Sequence, residues 1–307
     1  MHQARMMYAH QKLCAVFVEA QPDIKFFNKF VDDRIAHLYF AKNRNKVLSV
    51  LNYSKKNKLD YFFGIIDADD EVLTAEATDS QLAKVAVDPS NSEAQPEPEL
   101  FSDLESLMAA SDAYLHAFVN AVQLENIPQN QSPNSYAREV RECVRAEAAY
   151  LGCVHFAARQ MDPPPAVSPI LNGIRKFWNP NKNCINRSRV LEEVAENLSR
   201  EEKTRFESLV ENLYQTHGNS WRVCRGHIIS MLTNIFLLKT DGIPYKDWKH
   251  YLESYDRKRK QVRFKDHYDF ERILGANFDK TMLATSVLGQ QLMKFKNKKG
   301  KPLFKLQ

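Results

Sequence analysis

The stretch Leu59-Asp-Tyr-Phe-Phe-Gly-Ile-Ile-Asp-Ala-Asp-Asp-Glu71 constrains this chain more than any other. Tyr61, Phe62, Phe63, Ile65 and Ile66 form a short continuous run of aromatic and β-branched residues, the pattern of a strand covered on both faces in a parallel sheet. The run stops at Asp67, Asp69, Asp70 and Glu71. In an extended chain residues i and i+2 share a side, so Asp67 and Asp69 aim two carboxylates at one point while Ala68 faces away. Carboxylates so close repel unless a cation joins them, and Mg²⁺ or Mn²⁺ prefers such oxygen ligands. A polar turn whose aspartates cap the next helix gives the same letters. The choice between the two depends on a partner elsewhere.

That partner is sought at the ends of the other strands. Leu13-Cys-Ala-Val-Phe-Val18 reads as a second fully buried strand, and it too ends in an acid, Glu19. Pro22 opens a helix whose apolar stripe, Ile24, Phe26, Phe27, Phe30 and Val31, runs to about residue 33. Ile35 to Phe40 is a further strand, and Asn45 to Lys56 a helix with Val47, Leu48, Val50 and Leu51 inward. The order β-α-β-α-β predicts an α/β fold with right-handed crossovers, a parallel sheet sandwiched by helices. Ligands of such sheets bind beyond the carboxyl ends of the strands. If the first and third strands are neighbours, Glu19, Asp67 and Asp69 converge on one crevice.

From Val72 to Pro98 the chain is rich in Ala, Thr, Ser, Asp, Glu, Asn and Pro, which predicts a flexible surface insertion over 72–98. Glu99 to Ser102 reads as a fourth strand, and Asp103-Leu-Glu-Ser-Leu-Met108 opens a helix with Ser102 or Asp103 as its N-cap. Asp70, Asp103 and Glu105 are therefore further candidate metal ligands, with capping and helix-dipole roles as the alternative for the last two. Residues 1–125 form the expected site-bearing domain. Residues 126–307 read as a helical domain: a long amphipathic stretch at 135–159, a proline-rich break at 163–169, then helices at 188–197, 200–214 and 220–239 and shorter ones to 292.

The net charge of +5 hides an asymmetry: residues 1–125 carry 12 Lys+Arg against 19 Asp+Glu, and the remainder 31 against 19. An acidic half that holds a cation and a basic half that attracts phosphates suit an enzyme acting on a polyanion, although solvated faces give the same count. Basic runs with aromatic residues interleaved, Arg257-Lys258-Arg259-Lys260 and the finish from Lys294 to Lys305, can track a phosphate backbone and stack on bases; a solvated tail or docking arm is the other reading. Lys46, at the start of the second α/β helix, is a candidate phosphate ligand or an ordinary surface lysine. His155, His217 and His227 are proton carriers on paper, with structural roles as the alternative.

Five cysteines without a Cys-x-x-Cys pair, Cys14, Cys143, Cys153, Cys184 and Cys224, argue against a disulfide framework and a zinc finger. No run of eighteen apolar residues and no basic-then-apolar leader pattern occurs, which predicts a soluble cytoplasmic protein with no membrane partner.

A Glu closing the first strand with Asp-x-Asp closing the third resembles the TOPRIM domain of topoisomerases, DnaG-type primases and OLD-family nucleases. The chain is most similar to a TOPRIM-like family of bacterial proteins, on Val16-Phe-Val-Glu19, Phe62 to Asp69, Phe101-Ser-Asp-Leu-Glu-Ser106, and Trp221 with Gly226-His227. Family members often have an acid after Gly-His where this chain has Ile228. Within the family, length and layout resemble the nuclease subunits of PARIS anti-phage defence systems. The resemblance implies a Mg²⁺-dependent endonuclease with Glu19, Asp67 and Asp69 as catalytic and metal-binding acids. It further implies an effector toxin held by an ABC-type ATPase partner and released to cut host transfer RNA, DNA being the other nucleic-acid substrate. Related nucleases pair, so a homodimer is a further expectation. Glu19 would bind metal or take the proton from the attacking hydroxyl, with like-charge crowding raising its pKa. Receiver domains need an acidic pair after their first strand, where Ala20 and Gln21 follow Glu19 here, and haloacid-dehalogenase-type phosphatases carry Asp-x-Asp on the first strand. The rival of another class is a catalytically inactive TOPRIM-like module that binds nucleic acid or a partner.

Overall fold

The computed structural model describes residues 1–67, 82–84, 101–122, 127–168, 170, 173–240 and 267–306. The chain divides into two compact units, one of Met1–Asp103 with Phe278–Gln307 and one of Leu104–Asn277. Residue 125, the expected boundary, falls inside the second unit. The basic chain end, expected on the helical part, belongs to the first.

The first unit is a parallel α/β sheet. It runs α1 (His2–Gln11), β1 (Cys14–Val18), α2 (Gln21–Phe27), β2 (Ala36–Phe40), α3 (Arg44–Lys56), β3 (Phe62–Ile66) and a short β4 (Leu82–Lys84). Every strand pair is parallel and the spatial order is β2-β1-β3-β4. All five residues of β1 and all five of β3 are buried, as their unbroken apolar runs require of strands with helices on both faces. β2, at the sheet edge, leaves His37 and Phe40 exposed. Asn43 starts α3 by accepting the Lys46 N–H on Oδ1 at 3.0 Å.

Three expectations are corrected. β4 lies inside the 72–98 stretch, which was expected to carry no strand, and pairs with Gly64–Ile66 of β3. Three residues are too few to display a period of two, so main-chain pairing to a neighbouring strand makes this element and no side-chain pattern announces it. Phe101 and Ser102 are not in a strand, whereas Glu99 and Leu100 lie outside the described residues. α2 ends at Phe27 and not near residue 33: Asn28 to Val31 close a last turn by donating back to Ile24, Phe26 and Phe27, and from there the backbone pairs with the chain end, Asp32 N–H donating to Leu303 O (2.8 Å) and Lys305 N–H to Phe30 O (2.7 Å).

That chain end follows two short helices, Lys280–Thr285 and Val287–Leu292. It then doubles back as a small hairpin, with Lys296 bridged to Pro302 and Val31 to Phe304, and Gly300 supplies the positive φ of 73° that the turn needs. Phe295 and Phe304 are 1% and 2% exposed, and the Phe295 ring packs on Phe63 of β3 with centroids 4.8 Å apart. The aromatic residues of this basic run are therefore core residues and do not stack on bases. Its lysines stand outside.

The second unit is helical: α4 (Leu104–Ala110), α5 (Asp112–Ala121), α6 (Pro133–Arg159), α7 (Arg187–Val194), α8 (Arg200–His217), α9 (Gly226–Thr240) and α10 (His267–Asn277), with a two-stranded β5–β6 pair at Trp178–Asn179 and Cys184–Ile185. Ile228, Ile229, Leu232, Ile235, Phe236 and Leu237 make α9 apolar nearly all round, as befits a central helix. Tyr114 of α5 meets Thr233 of α9 in a buried 2.9 Å hydrogen bond. The helix expected over 220–239 is broken. A short 3₁₀ turn at Trp221–Val223, capped by Ser220 Oγ accepting the Arg222 N–H at 3.0 Å, is followed by extended Cys224 before α9 begins. All five cysteines are free thiols, and among the described residues no helix is long and apolar enough to cross a membrane.

Candidate active site

Two of the predicted acids meet. β1 and β3 are hydrogen-bonded neighbours in the register Ala15↔Phe62, Val16↔Phe63 and Phe17↔Gly64, and Glu19 and Asp67 are the first residues past Val18 and Ile66. Glu19 Oε1 accepts the Asp67 N–H at 2.8 Å. The adjacency on which the crevice depends is thus present, and the contact fixes the Glu19 side chain across the gap between the two strand ends. Both residues are half-buried. Asp69 and Asp70 lie outside the described residues, as do Arg257, Lys258, Arg259 and Lys260.

The turn that carries Glu19 is held by a residue the sequence reading passed over. Asp23, in the first turn of α2 after Pro22, accepts the Ala20 N–H on Oδ2 at 2.8 Å and is also bonded by the Glu19 N–H. Burial pushes its carboxyl above the usual carboxylate range against the pull of those two N–H groups. Asp23 thus positions the backbone of the candidate acid. An acid three residues into a helix that opens with proline is the sequence signal for it.

A second overlooked residue is Lys42. Ala41 N–H donates to Val18 O at 2.9 Å, so the chain leaving β2 passes beside the end of β1 just before Glu19. The next residue, Lys42, is exposed and left-handed with φ 82°, a conformation that favours glycine. Lys46, the residue chosen from sequence, is exposed at the third position of α3, its N–H spent on the Asn43 cap. Lys42→Gly removes both the strain and the charge. Unfolding free energy is expected to change by less than about 1 kcal/mol, because relief of the left-handed backbone offsets the greater freedom of unfolded glycine. If the acids at the strand ends cleave a phosphodiester, that cleavage is expected to drop at least roughly tenfold, as for a lost charge-assisted phosphate contact. Denaturant titration and initial rates on one preparation check both.

Asp103 is half-buried and directly precedes α4, and Glu105 is half-buried in the first turn of that helix, which opens the second unit. In the same unit Trp221 is core, 5% exposed, and Ile228 is 2% exposed. His227 is exposed, and its Nδ1 lies 2.7 Å from Glu271 Oε1 of α10, so the acid beside Gly-His comes from another helix. His217 is half-exposed in the last turn of α8.

His155 is structural. It is 9% exposed, its Nε2 is 3.1 Å from Arg225 Nη1, and burial, then the Arg225 charge, bring its pKa down to about 4. A folded-state pKa below the unfolded value of about 6.5 means that the unfolded chain takes up the proton first. Stability is therefore expected to be full above pH ~6.5, to decline as pH falls toward 4, and to have lost on the order of 3 kcal/mol there. Melting curves across that window should show the slope in the native chain, and His155→Gln should flatten it.

The donor set at the strand ends is hard carboxylate oxygen. It suits Mg²⁺ or Mn²⁺, which are commonly held by one or two carboxylates with waters and substrate phosphates completing the shell. Among the described residues no group of three or more His, Cys, Asp or Glu is arranged to hold an ion, and Asp69 and Asp70 lie outside them. Comparison with models of known families, with curated proteins and with solved structures gives no match.

Proposed function

We propose that this chain is a metal-dependent, TOPRIM-like endonuclease in which Glu19, Asp67 and Asp69 are the acids of the site. The observation that carries the reading is the Glu19 Oε1 to Asp67 N–H contact across adjacent parallel strands, which sets two carboxylate residues side by side at the edge where such sheets bind ligands. Asp67 and Asp69 would hold a Mg²⁺ or Mn²⁺ ion, which when bound would supply neutralisation of a scissile phosphate and of the charge that develops on it. Glu19, fixed by the Asp67 N–H, would be a further ligand of that ion or take the proton of the attacking hydroxyl, and Asp23 keeps the backbone on which Glu19 stands. Lys42 meets a flanking phosphate oxygen.

On the resemblance to the nuclease subunits of anti-phage systems, the substrate is host transfer RNA and the chain is a toxic effector released from an ABC-type ATPase. A second reading, a binding module without catalysis, fits the same contact, because a Glu19 Oε1 that accepts the Asp67 N–H also serves simply to fasten two strand ends. The purified chain, free of any ATPase, separates them. Incubated with total transfer RNA and with duplex DNA, each in Mg²⁺ and in EDTA, it is expected to cut the RNA pool in a metal-dependent way. Intact pools after incubation of well-folded protein with Mg²⁺ and Mn²⁺ would leave the binding module standing and remove the nuclease.

A further inference from the structure

At the opposite edge of the same sheet lies a cleft of about 450 Å³ walled by lysines. Two stretches more than two hundred residues apart build it: Lys55, Lys58 and Asp60, between the end of α3 and the start of β3, and Lys294 and Lys296 of the chain-end hairpin, over a floor of Phe63. Four lysines and one aspartate thus line it. That carboxylate, Asp60, is bridged by a fifth lysine, Lys298, at 3.3 Å. Lys58, Lys294 and Lys296 are exposed and have no acidic partner among the described residues.

Ordinary helix chemistry explains part of this. Lys55 and Lys58 lie at the carboxyl-terminal end of α3, where the helix dipole favours cations. It explains nothing about Lys294 and Lys296, which stand on another element and are turned outward because Phe295 between them is turned into the core. Nor does it explain why Lys58 occupies a left-handed position, φ 53°, where a helix usually ends in glycine. Like charges gathered from separate elements raise the energy of the fold unless an anion bridges them.

We propose that this cleft is a sequence-independent site for the phosphodiester backbone of a nucleic acid. Lysines act as point charges suited to phosphates spaced along a strand, and among the described residues no arginine lines the cleft to select a single planar anion. Strands of five residues put this edge about 16 Å from the acids. If the proposed nuclease function holds, one folded RNA reaches both, its scissile phosphate at Glu19 and Asp67 and a remote flank on the lysines. Binding at the cleft does not itself need that function.

The test is therefore binding of labelled transfer RNA to the full chain in EDTA, followed by fluorescence anisotropy between about 50 and 200 mM salt. Lys58→Glu/Lys296→Glu is expected to weaken binding at least roughly tenfold and to flatten the log–log salt slope by about 1.4–1.8, since each lost phosphate contact removes about 0.7–0.9. Lys58→Gly, which relaxes the backbone, should flatten it by about one. Lys182→Glu/Lys203→Glu, on the helical unit, carries the same change in net charge and should leave the slope unchanged. Equal losses in both double variants, or an unaltered slope in Lys58→Glu/Lys296→Glu, would overturn the proposal. So would a poly-glutamate peptide that displaces the RNA more effectively than polyphosphate does, because the cleft would then belong to an acidic protein. A chain that binds in this way but cuts nothing would sink the nuclease and keep the cleft.

Discussion

Glu19→Gln is expected to leave the fold intact and to lower metal-dependent cleavage by roughly 10²–10⁴-fold, about 3–5 kcal/mol of transition-state stabilisation. The substitution is chosen for what it keeps. A glutamine oxygen still accepts the Asp67 N–H that Glu19 Oε1 takes at 2.8 Å, so the two strand ends remain tied. What it removes is the negative charge, needed to bind a divalent cation or to take a proton. Asp67→Asn does the same for the second acid, whose backbone N–H, and not its side chain, makes the tie. If the acids only fasten β1 to β3, both variants cut at the native rate. If they are the site, both fail while their melting temperatures stay within a few degrees of the native chain. The two variants together should lose little more than either alone, because residues that serve one metal act as a unit.

How far these features could be read from sequence follows from how local their causes are. β1 and β3 were legible as continuous apolar runs because both faces of each strand are covered, a property written in consecutive residues. Their adjacency was only a condition in the sequence, because a β-α-β-α-β order admits both β1-β2-β3 and β2-β1-β3, and the observed second order is what lets Glu19 meet Asp67. α2 was overextended because Phe30 and Val31 continue its stripe, whereas Phe30 O and Asp32 N–H pair with Lys305 and Leu303, a contact no local pattern encodes. The same cause misled the reading of the basic finish. Alternating lysine and phenylalanine looks like a surface for phosphates and bases, but alternation is also what one buried face of a hairpin produces, and Phe295 and Phe304 are buried. Lys42 was hidden because a left-handed lysine leaves no mark in composition. Asp23 is legible as a capping acid in a helix that opens with Pro22, but no local pattern ties that cap to the role of Glu19.

Phe295→Ala is the stability experiment with the largest expected effect. The Phe295 ring is 1% exposed and lies against Phe63 of β3 and, with centroids 6.3 Å apart, Phe304. Its removal leaves a cavity under the central strands that the hairpin cannot close while Leu303 N–H remains bonded to Phe295 O. A loss of about 3–5 kcal/mol is expected. At roughly 2–4 °C per kcal/mol for a chain of this size, the melting temperature of the α/β unit falls by about 10 °C. Lys294→Ala, one residue away and exposed, should cost less than about 0.5 kcal/mol. The pair of results decides whether the basic chain end is a tail or a wall of the α/β unit. Equal, small effects would mean that the hairpin is dispensable and that the lysines it carries have no fixed place. A large loss in Phe295→Ala alone means that the packing that supports β3, and Asp67 at its end, also fixes Lys294 and Lys296 at the far edge. In that case weakened RNA binding accompanies the loss of stability, and it does so at temperatures where the variant is still folded, because hairpin fraying releases the lysines before the sheet melts.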